Sequence, residues 1–278
     1  MHELRLLYPL ADLLKAARLP RSSFYYQRTA LFAVDKHQEV KEHIKTIFAC
    51  HKGRYGYRRV AKTLERQGVR TSQNTVQRLM GKLGLKSLVK IKKYKSYKGE
   101  VGRTAPNIMK RNFTAKRAHQ KLVTDVTEFK VEDGKLYLSP VLDLYNGEII
   151  VHEFARRPAY LMVESMVKKV FSKLKPREKP MLHSDQGWQY QMPAYRKMLK
   201  DRKIVQSMSR KGNCHDNAAM ESFFGILKSE YFHLNKFATY EELKAGLEEY
   251  IHYYNHDRIK LKLGGLSPVQ YRTQAARQ

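Results

Sequence analysis

The chain has 278 residues, with 54 Lys plus Arg against 26 Asp plus Glu and a formal charge of +28. No apolar run reaches the 18 residues of a membrane span, no signal-peptide pattern opens the chain, and two cysteines cannot build a disulfide framework. A soluble protein of the reducing cytoplasm, long enough for two or three compact units and attractive to polyanions, is what remains.

The charge is concentrated. Residues 51 to 120 hold 20 Lys/Arg and only two acids, Glu65 and Glu100, so nucleic acid is the first candidate partner. The N-terminal segment (1–30) reads as a helix from Leu10 to Ala17, a break at ARLPR and a short helix SSFYYQ, the rhythm of a helix-turn-helix. A better-formed copy follows in 38–90: helices near 38–50 and 57–67, the turn GVRTS, and a third helix from Gln73 to Leu83 capped by Thr71 or Ser72. Val76, Leu79, Met80 and Leu83 make its buried stripe. Gln73, Asn74, Gln77, Arg78 and Lys82 then face outward, carrying the amide and guanidinium groups that read base edges in a major groove. An ordinary solvated helix face is the alternative, and the surrounding positive charge favours DNA.

Residues 84 to 112 lose this periodicity. A basic linker, 91–115, interleaves Lys92, Lys93 and Lys95 with Tyr94 and Tyr97 and suits a phosphate backbone. From Lys121 the texture turns to β. LVTDVTEFKV, KLYLSPVLDLY and EIIVHEFA are separated by Asp133-Gly134 and Asn146-Gly147, two strong hairpin signals that predict three antiparallel strands. Pro140 predicts a bulge or irregular pairing in the second. A helix over 160–174, the apolar run PMLH, a helix over 193–202, a strand IVQSMS, a loop RKGNCH and a long helix from Asp216 to Tyr231 write an α/β unit with parallel strands. Helices over 239–256 and 267–276 follow.

Asp185 ends the PMLH strand, where open α/β sheets gather functional groups. Asp125, in the first strand, is its companion if those strands are neighbours, and Glu221 sits on the long helix on one face with Asn217, Gly225 and Lys228. Thirty-five residues separate Asp185 from Glu221. Each acid alone has a plain structural reading, Asp185 as a helix N-cap and Asp125 as a polar residue on an exposed strand face. Glu128 and Asp143 are read as facing solvent or capping turns, Asp216 as capping the long helix, and His183 as a structural hydrogen-bonder. Trp188 and Tyr190 could stack on a flipped or frayed base, but aromatic residues near a strand end are more often core.

TDVTEF, HSDQGWQY and NCHDNAAMESFFGILKSE, at this spacing, resemble the DDE catalytic core of the retroviral-integrase superfamily. More narrowly, they resemble the second-frame (OrfB) product of insertion-sequence-3 family transposases, insertion-sequence-150 subgroup. GRYGYRRV with TVQRLMGKLGL is similar to that family's second helix-turn-helix, and YYNHDRIKLKLGGLSPVQY to its C-terminal signature, so the resemblance spans nearly the whole chain. Lys260 stands where that signature more often has His. The resemblance implies an RNase H-like α/β catalytic core over 116–232, with N-terminal all-α helix-turn-helix units and a helical C-terminal tail over 233–278. It implies DNA cleavage at the element's 3′ end and strand transfer by in-line phosphoryl displacement, by a polynucleotidyl transferase.

Under that resemblance Asp125, Asp185 and Glu221 are the catalytic and metal-binding residues for two Mg²⁺ ions, with Mn²⁺ able to substitute, and Asp125 is the bridging ligand. Arg210, Lys211 and Lys228 would hold the DNA backbone nearby. The expected partners are double-stranded DNA (terminal inverted repeats and target), further copies of the chain on paired ends, and the first-frame product. A structure-selective nuclease and a DNA-binding regulator with an idle core are the rival readings. The regulator predicts no Mg²⁺-dependent product.

Overall fold

The computed structural model describes residues 3–32, 35–89, 104–210 and 213–275. Lys92, Lys93, Lys95 and Lys211, candidates for DNA contact, lie outside them. The chain divides into two units, residues 1–46 and 47–278. In the first, α1 (Leu10–Ala16) is followed by Arg18, whose positive φ of 52° turns the chain toward Pro20, and α2 (Arg21–Phe32) comes next. It outruns the SSFYYQ segment because no Gly or Pro interrupts residues 21–32. Leu14 on α1, Phe24 on α2 and, further along, Ile44 are buried in this unit. α3 (Gln38–Cys50) begins in this unit and ends in the next.

The second unit opens with α4 (Tyr57–Arg66) and α5 (Gln73–Lys82). The two helices bury Val60, Ala61 and Leu64 on one side and Val76, Leu79 and Met80 on the other. Gly68, at φ +82°, makes the turn between them, and Ser72 caps α5 by accepting from Thr75 N at 3.1 Å.

The sheet is built around β3 (Gly134–Asp143), which pairs antiparallel with β4 (Ile149–Ala155) on one side and with β1 (Lys121–Thr124) and β2 (Thr127–Val131) on the other. The expected first strand is thus two. Thr124 faces Val141 and Thr127 faces Leu138, so one register runs through both, and the gap at Asp125–Val126 falls opposite Ser139–Pro140. Pro140 has no N–H to give the ladder. The predicted irregularity appears beside it, as a register shift between Val141 and Leu142. Past β1 lie β5 (Met181–Ser184) and β6 (Val205–Met208), both parallel to it.

Alternation along the strands serves both faces. Leu122, Val141, Val151 and Leu182 meet α6 (Tyr160–Lys173) and α8 (Pro193–Asp201) on one face. Val123, Leu138, Leu142 and Ile149 meet α9 (Ala218–Glu230) and α10 (Tyr240–His256) on the other. Residues 105–113 run along the outer edge of β6. Ser207 Oγ accepts from Ile108 N and Met109 N, Pro106 O accepts from Met208 N, and Met109 is buried. This covers an edge strand that would otherwise present unpaired N–H and C=O groups.

The C-terminal signature ties these parts together. Asn255 on α10 exchanges two 2.9 Å hydrogen bonds with the Ile149 backbone. Arg258 forks onto the buried Glu230 carboxylate at 2.7 Å and 2.7 Å, and Arg59 from α4 reaches the same carboxylate at 3.2 Å. Lys260 donates to Gly147 O and the Tyr254 hydroxyl, closing the Asn146-Gly147 turn. Asn146 in turn donates to Pro268 O at the start of α11 (Pro268–Ala275).

Candidate active site

β1, β4, β5 and β6 all point their C-terminal ends to one edge of the sheet, because β4 and β1 each run antiparallel to β3 while β5 and β6 run parallel to β1. Asp125 follows β1 directly and Asp185 follows β5, so the two carboxylates stand at the ends of hydrogen-bonded neighbours. The break opposite Pro140 lets Asp125 leave the ladder. Asp185 is oriented by its own turn, Oδ1 accepting from Gly187 N at 2.9 Å. Glu221 arrives from the first turn of α9, whose start is fastened to β1 by Asn217 Nδ2 donating to Thr124 O at 3.2 Å.

All three are half-buried. Burial, the Asp185 charge and the Glu221 charge together hold the Asp125 carboxyl well above the usual carboxylate range, and Lys228 opposes them. Burial also raises Asp185 and Glu221. Asp125 therefore carries the repulsion of the other two carboxylates, which a cation beside it would relieve. Asn217 Oδ1, one helical turn before Glu221, is a further buried oxygen with no hydrogen-bond partner. Among the described residues no group of three or more His, Cys, Asp or Glu side chains is gathered so as to hold a metal ion.

Gln73, Asn74, Gln77, Arg78 and Lys82 are all exposed on α5. Arg210 sits just past β6 on the carboxylate edge, with its guanidinium on Asp216 at 2.9 and 3.1 Å. Lys228 Nζ lies 5.2 Å from the Phe129 ring centroid. Glu128 pairs with Lys135 and Tyr137 on the strand face. Asp143 is buried and caps its turn, accepting from Tyr145 N and His119 N. His183 is a structural hydrogen-bonder, its ring nitrogens 2.9 Å from Ser207 Oγ and 3.1 Å from Ser209 Oγ.

Asp216 departs from its expected capping role. It lies in a 3-10 turn, Cys214–Asn217, and α9 starts only at Ala218 with no side-chain cap. Buried, Asp216 instead gathers Arg210, Arg111 and Asn107. Sequence reading also missed Asn217 as the fastener of α9 to β1. Its position four residues before Glu221 was visible, but its reach to Thr124 needed the sheet.

The profile of the family described as "Integrase core domain" matches residues 115–214, a second profile of that description matches 221–275, and "HTH-like domain" matches 35–93. The chain is 55% identical over 99% of its length to the putative transposase InsK for insertion sequence element IS150 of Escherichia coli (strain K12), spanning 97% of that protein. It belongs to the insertion-sequence-3 family of transposases, insertion-sequence-150 subgroup. The probable transposase for insertion sequence element IS1353 of Shigella flexneri is 37% identical, over 97% of this chain and 53% of that one. Among solved structures, the magnesium complex of the HTLV-2 integrase catalytic core domain has a TM-score of 0.44 and 16% identity, covering 56% of this chain and 98% of that one. The protein is a DDE-type polynucleotidyl transferase that recombines DNA through an RNase H-like core. The relatives named from sequence are bacterial, and no helix among the described residues of the transposase is long and apolar enough to cross a membrane.

Proposed function

We propose that Asp125, Asp185 and Glu221 are the reacting centre of this transposase and that they hold two divalent ions, Mg²⁺ by preference. The observation that carries the assignment is the convergence of charge. Asp185, from the neighbouring parallel strand end, and Glu221, from a helix tied to the first strand, both burden Asp125. Asp125 feels both of the others, which suits it to bridging, with Asp185 and Glu221 each completing one ion's shell. Hard oxygen donors of this kind fit Mg²⁺ or Mn²⁺ and suit soft metals poorly. When bound, such a pair supplies charge stabilisation for the attacking and leaving oxygens of an in-line phosphoryl displacement.

The chain's own residues do the positioning. Gly187 N–H fixes Asp185, Asn217 fixes the approach of Glu221, and Lys228 offsets negative charge beside Asp125. Arg210 and Lys228 offer the DNA backbone its first cations. The exposed face of α5, with Gln73, Asn74, Gln77, Arg78 and Lys82, is assigned to duplex recognition, at terminal inverted repeats and target DNA. The products are a cleaved 3′ end and its transfer to DNA, by further copies of the chain on paired ends and in company with the first-frame product.

The test is an oligonucleotide assay on duplexes bearing the element's ends. Asp125→Asn is expected to bind these duplexes as wild type does and to yield no cleavage or strand-transfer product, and chelation of divalent metal is expected to abolish product from wild type. Product from Asp125→Asn at a wild-type rate would overturn the assignment.

A further inference from the structure

Two aromatic residues sit in HSDQGWQY, and they have opposite fates. Tyr190 is 1% exposed, packs edge-on against Tyr195 at 5.5 Å between centroids, and has its phenol pushed up by burial and by the charges of Asp125 and Asp185. Trp188 is 51% exposed. Both lie on α7 (Trp188–Gln191), a single turn. Residues two apart on such a turn point to opposite sides, so with Tyr190 sunk beneath the two aspartates, Trp188 projects outward from the same corner. An indole is a large apolar surface to leave in water, and an exposed one needs a use more than an exposed leucine does.

The neighbourhood suits a nucleotide. Gln189, next to Trp188, donates to Pro158 O and so ties α7 to the turn that follows β4. That turn lies on the carboxylate edge, since β4 runs parallel to β1, and it carries Arg156 and Arg157. Arg156 is held by Glu241 and lies 4.4 Å from the Tyr240 ring centroid. Arg157 is exposed and stands beside Pro158. A π-face and a cation thus share one rim, three residues past Asp185 along the chain.

We infer that Trp188 is a stacking platform for an unpaired DNA base next to the scissile phosphate, with Arg157 on the adjoining phosphate. The platform would hold a frayed terminal base out of the duplex, so that the phosphate it leaves exposed can enter the carboxylate site. Every base has a π-face, so the contact is tolerant of sequence and selective for unpaired ends. The inference rests on the assignment of Asp125 and Asp185 to the reacting centre.

Trp188 is the chain's one tryptophan, so its fluorescence reports the contact directly. The full chain is titrated with a duplex bearing the element's terminal repeat, either fully paired or mismatched at the bases flanking the cleavage site. Quenching is expected with both and at lower concentration with the mismatched end. Trp188→Ala is expected to cut product from the paired end by at least about fivefold and to recover on the mismatched end, while Trp188→Phe keeps most activity. No quenching, or a Trp188→Ala loss equal on the two substrates, would overturn the inference. Asp125→Asn separates the two readings. It should quench fully without making product, whereas product from it would sink the carboxylate assignment and leave the stacking result standing.

Discussion

Glu230 and Arg258 are both almost wholly buried, 3% and 2% exposed, and their ion pair is one of the few places where a single side chain decides stability. Burial alone would raise the Glu230 carboxyl, but Arg258 and Arg59 hold it below its usual range. Removing one partner of such a pair strands the other charge in the interior, at a cost of about 3–5 kcal/mol, whereas replacing both with apolar groups is far milder. Arg258→Ala is therefore expected to lower the unfolding free energy by about that amount in urea denaturation, and Arg258→Met with Glu230→Leu by much less. Equal losses would mean that the pair itself, not the orphaned charge, is what matters. The sequence held no sign of this bond. Glu230 reads as one more acid near a helix end, and only the fold reveals that three elements meet on it.

At the scale of elements, the GRYGYRRV segment has a structural duty besides any contact with DNA. It resembles part of a helix-turn-helix, yet its buried residues turn inward toward the C-terminal signature. Tyr55 OH accepts from Ile259 N at 2.9 Å, Arg54 donates to Glu230 O and lies over the Tyr253 ring, and the His51 ring stacks on Tyr55 at 3.7 Å while meeting Tyr253 OH at 3.1 Å. Burial lowers the His51 pKa to about 4 from 6.5. The folded state thus prefers the neutral ring, so this contribution to stability is fully present above pH 6.5 and is lost as pH falls from about 6.5 toward about 4. His51→Gln is expected to flatten that part of the stability–pH curve by on the order of 1–2 kcal/mol, solvent screening of the partly exposed ring cutting the effect well below the full shift, read from urea midpoints across the range. An unchanged curve would show that His51 charges without disturbing the helix interface.

The helices and strands were largely legible in the sequence, because periodicity, Asp-Gly and Asn-Gly turns and a Ser cap are local signals. What was not legible was pairwise and long-range. The split of the first strand depends on Pro140 facing Asp125, and the true work of Asp216 depends on Arg111, which lies 105 residues earlier. Of the candidate site, the three carboxylates could be picked out by type and spacing. Their electrostatic company, and the exposure of Trp188 beside a buried Tyr190, required the sheet.

For the whole molecule, a formal charge of +28 makes salt the dominant variable in DNA binding. The logarithm of the binding constant is expected to fall steeply and linearly with the logarithm of salt concentration. Lys82→Ala should weaken binding to all sequences alike and reduce that slope by about one, whereas Gln77→Ala should relax sequence preference and leave the slope unchanged. Slopes and competition against unrelated duplex, measured by fluorescence anisotropy, distinguish these outcomes. If neither variant changed either quantity, α5 would not be the reading element.

α10 comes late in the chain, yet its Leu243, Leu247, Tyr250 and Ile251 roof the sheet face formed by residues translated a hundred positions earlier. A nascent polypeptide halted before this helix emerges would leave Leu138, Leu142 and Ile149 open to water, an oily surface apt to stick to others of its kind. Copies of the gene truncated before α10 would on this ground yield insoluble fragments rather than half-working recombinases, and the fold can be sealed only once that helix has left the ribosome.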